Sequence, residues 1–186
     1  MPAPFPRQLR GRLAALGRLP THNPRNQAVR DAVAQRGAHA CEYCLMPTDA
    51  AFEVEHIVPE ARWADYQANR YPGLRPRARL RLITPDHVVN YAWSCAFCNG
   101  KKGGRPRRRN EVRFFDPRYD DWPQHFAFDP SSAYISIIGL TDIGKVTVET
   151  MGFNLDGRRV SPVAERHVQI ARGIYPPHWL FGPYGL

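Results

Sequence analysis

Cys41-Glu-Tyr-Cys44, Glu53-Val-Glu-His-Ile-Val-Pro59 and Cys95-Ala-Phe-Cys98 decide the reading of this chain of 186 residues. All four cysteines fall into two Cys-x-x-Cys pairs with 50 residues between them. Thiolates at that spacing supply two tetrahedral ligands from one tight turn, and two such turns make a four-sulfur zinc site. Four ordinary buried thiols are the alternative, but they have no reason to fall into matched pairs. Structural zinc is therefore expected at Cys41, Cys44, Cys95 and Cys98. His39 is expected at the surface rather than as a competing ligand. A clamp of this kind offsets the closure entropy of the long segment between its halves.

The stretch between the pairs alternates. From Ala51 to Val58, Phe52 and Val54 face one way and Glu53 and Glu55 the other, which predicts a short strand ended by Pro59. Glu55 and His56 are neighbours on that strand, so alternation points them to opposite faces. Joint work by the two requires a kink or a divided site.

Further out, residues 1–22 are rich in Pro and Arg and read as a loose basic arm. A helix follows, with Asn23 as N-cap, Pro24 at the first helical position and Gly37 as the stop. Ala28, Val29, Ala32 and Val33 form its apolar stripe. Residues 60–89 form an inserted loop with six arginines and a helix near Ala61–Asn69. Its Arg70, Arg75, Arg77, Arg79 and Arg81 contact substrate or are simply solvated; the sequence leaves both open. Residues 23–113 thus make a zinc-braced core, and residues 114–186 a C-terminal extension packed on it.

In the extension, Phe114–Arg118 reads as a turn. His125–Phe128 and Ala133–Leu140 read as strands around an Asp129–Ser132 turn. Thr141 caps a helix over Asp142–Met151, and Ser161 with Pro162 starts another running to about Gly173. Ile135, Ile137, Ile138, Val146 and Val148 are the expected core, with His125 in a structural role.

Charge narrows the function. The net charge is +9, carried by 26 basic residues of which only Lys101, Lys102 and Lys145 are lysine. This suggests a polyanionic partner, nucleic acid first. A codon bias towards arginine is the bland alternative, but Lys101–Arg113 holds seven basic residues and one acid. Lys101, Lys102, Arg105, Arg107, Arg108 and Arg109 form an expected phosphate-binding strap, with Arg118 a weaker candidate. No run of 18 apolar residues exists, and the start lacks a secretory pattern, so no membrane partner and a cytoplasmic location are expected.

Taken together, Cys41-x-x-Cys44, Glu55-His56-Ile57-Val58-Pro59, Asn90 and Cys95-x-x-Cys98-Asn99-Gly-Lys-Lys102 resemble the HNH endonucleases, the ββα-metal nucleases. The resemblance covers roughly residues 38–105. Asn99 in the last position makes it an HNN-type variant, similar to the nuclease domain of RNA-guided effectors. The acid before the histidine is Glu55, where the family more often has Asp.

The resemblance implies an α+β fold: a ββα-metal core with a structural four-cysteine zinc site, an N-terminal helix and a C-terminal strand-helix extension. It implies an endonuclease that hydrolyses DNA, with RNA also possible as substrate. His56 would be the general base. Glu55 and Asn99 would hold one catalytic magnesium or manganese ion. The Asn90 amide would tie down the loop that orients His56. A single site per chain implies nicking by a monomer, with double-strand cleavage through a homodimer, a partner protein or repeated nicks. Two alternatives stand beside this: a non-catalytic zinc-stabilised nucleic-acid-binding module, and a nuclease subunit of a larger defence or mobile-element complex.

Overall fold

The computed structural model describes residues 23–47, 52–68, 70, 84–103, 112–133, 135–156 and 161–177. The expected arm, residues 1–22, lies outside them. Helix α1 spans Gln27–Arg36 and is capped by Asn26, whose side chain accepts from the N–H groups of Ala28 and Val29. The cap is not Asn23, because that side chain is taken up by the N–H of Arg25 at 2.8 Å in the turn before the helix. Val29 and Val33 are buried, whereas Ala28, in the first turn, is exposed.

After α1 the chain makes a tight hairpin, with Ala40 and Pro47 paired across it. Inside it, Cys41 N–H donates to the Met46 carbonyl at 2.7 Å and Leu45 N–H to the Cys41 carbonyl at 2.8 Å. The first cysteine pair is thereby folded into one turn.

Strand β1, Phe52–His56, pairs antiparallel with β2, Tyr91–Cys95. β1 stops two residues short of the expected Val58: Ile57 N–H still meets the Asn90 carbonyl at 2.7 Å, the next rung of the same register, but Val58 N–H turns to the Asn90 side chain at 2.9 Å. The register sets Glu55 opposite Ala92, Glu53 opposite Ser94 and His56 opposite Tyr91. Directly opposed residues share a face. One face therefore carries Glu53, Glu55 and the small Ala92 and Ser94; the other carries Phe52, Val54, His56, Tyr91 and Trp93.

Helix α3, Ala96–Lys102, leaves β2 directly and packs on both strands, completing a ββα unit. The small residues opposite the glutamates leave room for its approach. Between β1 and β2, a turn of 3-10 helix at Glu60–Arg62 leads into helix α2, Trp63–Gln67, which buries Trp63 and Tyr66.

The extension contains α4, Trp122–His125; β3, Phe126–Phe128; β4, Ile137–Gly139; α5, Asp142–Met151; and α6, Pro162–Ala171. β3 pairs antiparallel with β4. Thr141 caps α5 and Ser161 caps α6. His125 ends α4 instead of opening a strand, and Ala133 is left-handed at the close of a 3-10 turn, so β4 starts late. Of the expected core positions, Ile137 is fully buried but Ile138 is exposed, since alternation turns it outward on a two-stranded ribbon. Ile135, Val146 and Val148 are half-buried.

Gly139 and Gly144 mark a close approach of β4 to α5. A Cβ on Gly144 would meet the His125 carbonyl oxygen at 2.0 Å, and one on Gly139 the Lys145 nitrogen at 2.3 Å.

One apolar cluster runs through both parts, joining Val29, Val33, Tyr43 and Trp93 to Trp122, Phe126, Met151 and Phe153. Trp122 Nε1 donates to the Tyr43 carbonyl at 2.9 Å and the Tyr175 hydroxyl to the Cys44 carbonyl at 3.0 Å. The extension thus holds the outside of the first cysteine turn. No helix among the described residues is long and apolar enough to cross a membrane.

Candidate metal centre and adjoining active site

Cys41, Cys44, Cys95 and Cys98 are all free thiols, and their sulfurs lie within 4.8 Å of one another. Cys44 Sγ and Cys95 Sγ are 3.9 Å apart. Sulfurs about 2.3 Å from a tetrahedral zinc would be about 3.8 Å from each other, so the donor set and its spacing fit a metal ion such as zinc. Burial pushes the Cys41 thiol up, but hydrogen bonds from Cys44, Cys95 and Cys98 outweigh it and hold it well below the usual thiol range. Cys44 and Cys98 are pushed up, first by their sulfur neighbours. Buried sulfurs this crowded favour one anion at a time, and a bound cation would relieve that repulsion. Cys95 also caps α3, its Sγ accepting from Cys98 N–H. His39 is exposed, as expected.

The α3 face of the sheet is closed by internal pairs. Lys102 Nζ lies 2.8 Å from Glu55 Oε2 and 2.7 Å from the His56 carbonyl oxygen. The other Glu55 oxygen accepts from the Tyr43 hydroxyl. The side chains of Glu55 and Lys102 are 3% and 5% exposed, which makes this a buried ion pair. Burial, then the Glu55 charge, pushes the Tyr43 hydroxyl well above its usual range. Asn99 turns its amide to Glu53, not Glu55.

Two expectations are corrected here. Both Glu55 oxygens are taken, by Lys102 and by Tyr43, and the Asn99 amide nitrogen pairs with Glu53, so Glu55 as arranged has no oxygen open to a magnesium or manganese ion shared with Asn99. Lys102 is not an outward phosphate-binding residue, because α3 turns it inward onto Glu55.

His56 lies on the opposite face. Its Nε2 is 2.9 Å from Asp86 Oδ1, and its ring meets Tyr91 edge-on at 5.1 Å. The Tyr91 hydroxyl donates to the same Asp86 oxygen at 3.1 Å. Burial, then the Asp86 charge, pushes the Tyr91 hydroxyl well up. The His56 side chain is 18% exposed and that of Asp86 47%.

Asn90 joins the segments on either side. Its Oδ1 accepts from Val58 N–H, and its Nδ2 donates to the carbonyls of Val58 and Pro85, each at 3.0 Å. One buried amide therefore ties the residue two after His56 to the residue before Asp86.

Of the basic candidates, Lys101 is exposed, with Nζ 5.7 Å from the Phe97 ring centre. Arg105, Arg107, Arg108 and Arg109 lie outside the described residues, as do Arg75, Arg77, Arg79 and Arg81. Arg70 is exposed beside Asp65. Arg118 is a further correction: the Asp116-Pro117 turn folds it back into an ion pair with Glu42, leaving its side chain 5% exposed. Burial and the neighbouring Arg36 push it well below the usual arginine range. Glu42 also accepts from Trp93 N–H at 2.7 Å, so it anchors the first cysteine turn to β2.

Asp86, Tyr43 and Glu42 were not anticipated as partners. Only Asp86 carried a local signal, as the sole acid between Asp65 and Glu111.

No family model, curated protein or solved structure matches this chain.

Proposed function

We propose that this chain is an endonuclease of the HNH type that hydrolyses DNA phosphodiester bonds, with His56 as general base. The observation that carries the reading is His56 itself. It is a partly exposed imidazole at the end of β1, hydrogen-bonded to a carboxylate, on a ββα unit that carries Cys95 and Cys98 beside the turn of Cys41 and Cys44. A neutral imidazole is a competent base near pH 7. In the reaction, water gives a proton to His56 as its oxygen bonds to phosphorus. The P–O3′ bond breaks and the departing oxygen takes a proton from solvent. The four cysteines, with zinc, would hold the turn before β1 and the start of α3 in place. No step is assigned to a dication at Glu55 and Asn99, since both Glu55 oxygens are engaged by Lys102 and Tyr43.

A second reading is a zinc-stabilised nucleic-acid-binding module without catalysis. The closed Glu55–Lys102 pair favours it, because it leaves Glu55, the acid next to His56, without a free oxygen. The experiment that separates them is cleavage of supercoiled, linear and single-stranded DNA and of RNA by the full chain. Each substrate is run with magnesium, with manganese and with a chelator too weak to strip the zinc. Cutting of DNA supports the nuclease; DNA retention without cutting in every condition supports the binding module.

A further inference from the structure

Asp86 sits in the arginine-rich insertion, outside every motif of the sequence, yet it is the carboxylate that meets His56. We infer that Asp86 is a positioning residue that fixes the tautomer of His56, so that the base acts through Nδ1. The inference rests on the nuclease reading for its role in the reaction, but not for its geometry.

A carboxylate only accepts hydrogen bonds. With Asp86 Oδ1 at 2.9 Å, the Nε2 of a neutral His56 must carry the proton. The lone pair is then on Nδ1, which makes no hydrogen bond among the described residues. When Nδ1 takes a proton from water, the ring becomes cationic and Asp86 stabilises it. The Tyr91 hydroxyl, donating to the same oxygen at 3.1 Å, holds the carboxylate in place.

The backbone fixes the distance. Asn90 bonds both Val58 and Pro85, so the strand end bearing His56 and the turn bearing Asp86 are tied by a single amide. His87 reinforces that turn: its N–H donates to the Pro85 carbonyl at 2.9 Å and its Nδ1 accepts from Val89 N–H. The ring of His56 thus has the Asp86 carboxylate on one nitrogen and the Tyr91 ring edge-on beside it. They hold the ring in one plane with one nitrogen free.

The test uses the full zinc-loaded chain and three variants: Asp86→Ala, Asp86→Asn and Asp86→Glu. Ring nitrogen chemical shifts of His56, assigned by their loss in His56→Gln, read the tautomer without any need for activity. Wild type should be almost wholly the Nε2–H form, and Asp86→Ala should be a mixture, with zinc content unchanged. In cleavage, Asp86→Ala should lose about 10- to 1,000-fold in kcat with KM within a few-fold, as expected when a group that orients the base is removed. Asp86→Glu should recover part of both signals. An unchanged tautomer in Asp86→Ala, or wild-type kcat in that variant, overturns the inference. If the wild type does not cut but its tautomer still depends on Asp86, the nuclease reading fails while the positioning stands.

Discussion

Removal of Lys102 probes the buried pair that displaced the expected metal site. Lys102→Met keeps the length and apolar stem of the side chain but deletes the charge facing Glu55. The Glu55 carboxylate, 3% exposed, would retain only the Tyr43 hydroxyl as a partner. The His56 carbonyl would also lose its donor. Stranding one member of a buried pair costs about 3–5 kcal/mol. For a chain of this size that is a fall in Tm of about 6–20 °C. Glu55→Gln alone should cost less, because the amide still accepts from Tyr43. The double variant Glu55→Gln/Lys102→Met should return to within about 1.5 kcal/mol of wild type, a coupling of at least about 2 kcal/mol between the positions. Urea unfolding followed by tryptophan fluorescence, at fixed free zinc, measures all four corners of the cycle. A cost below about 1 kcal/mol for Lys102→Met would instead mean that Lys102 is solvated and Glu55 is open to another cation.

Other outcomes are expected. Metal analysis should find one zinc per chain, lost with cooperative folding in Cys95→Ala. Asn90→Ala should destabilise by about 2–4 kcal/mol, since it strands Val58 N–H and two carbonyls in a buried site; thermal unfolding checks this. Burial pushes the Asp120 carboxyl up, but Arg113, paired at 2.5 and 2.6 Å, and the Asp116 N–H outweigh it, so it is held below the usual range. A depressed carboxyl stabilises above its unfolded value near 3.8 and ceases to as pH falls through the lower folded value. The cost of Asp120→Asn, measured by urea unfolding, should therefore be full at pH 7 and vanish towards pH 2. With Lys102 and Arg118 buried, five strap cations remain: Lys101, Arg105, Arg107, Arg108 and Arg109. Log affinity for duplex DNA should fall with log salt at a slope of about −4.5 if all five meet phosphates. A slope near zero in a filter-binding titration would remove the strap from the interface.

What the sequence made legible is what local chemistry specifies. Paired cysteines are read from spacing alone, because both ligands of a pair come from one turn. Alternation along Phe52–His56 placed Glu55 and His56 on opposite faces, and the register with β2 shows them there. The caps Thr141 and Ser161 lie one residue before their helices, with no rival nearby. At the first helix two asparagines compete, and Asn23 is captured by Arg25 N–H, so Asn26 becomes the cap.

Long-range partners were not legible. Lys102 lies 47 residues from Glu55, and its direction depends on how α3 lands on the sheet. Its neighbour Lys101 faces solvent, so a basic run on a helix divides into an inward and an outward half. Arg118 reads as a surface cation until Glu42, a middle residue of the first cysteine pair, is brought beside it. Asp86 belongs to a segment with no periodicity, and it reaches His56 through the Asn90 brace and the Tyr91 hydroxyl, partners that local pattern does not reveal.

The most direct test of the account is cleavage of supercoiled plasmid by wild type and by His56→Ala, at equal zinc content and equal DNA affinity. The account predicts nicking by the wild type and a loss of about 100-fold or more in the variant. Equal nicking by both proteins would contradict it.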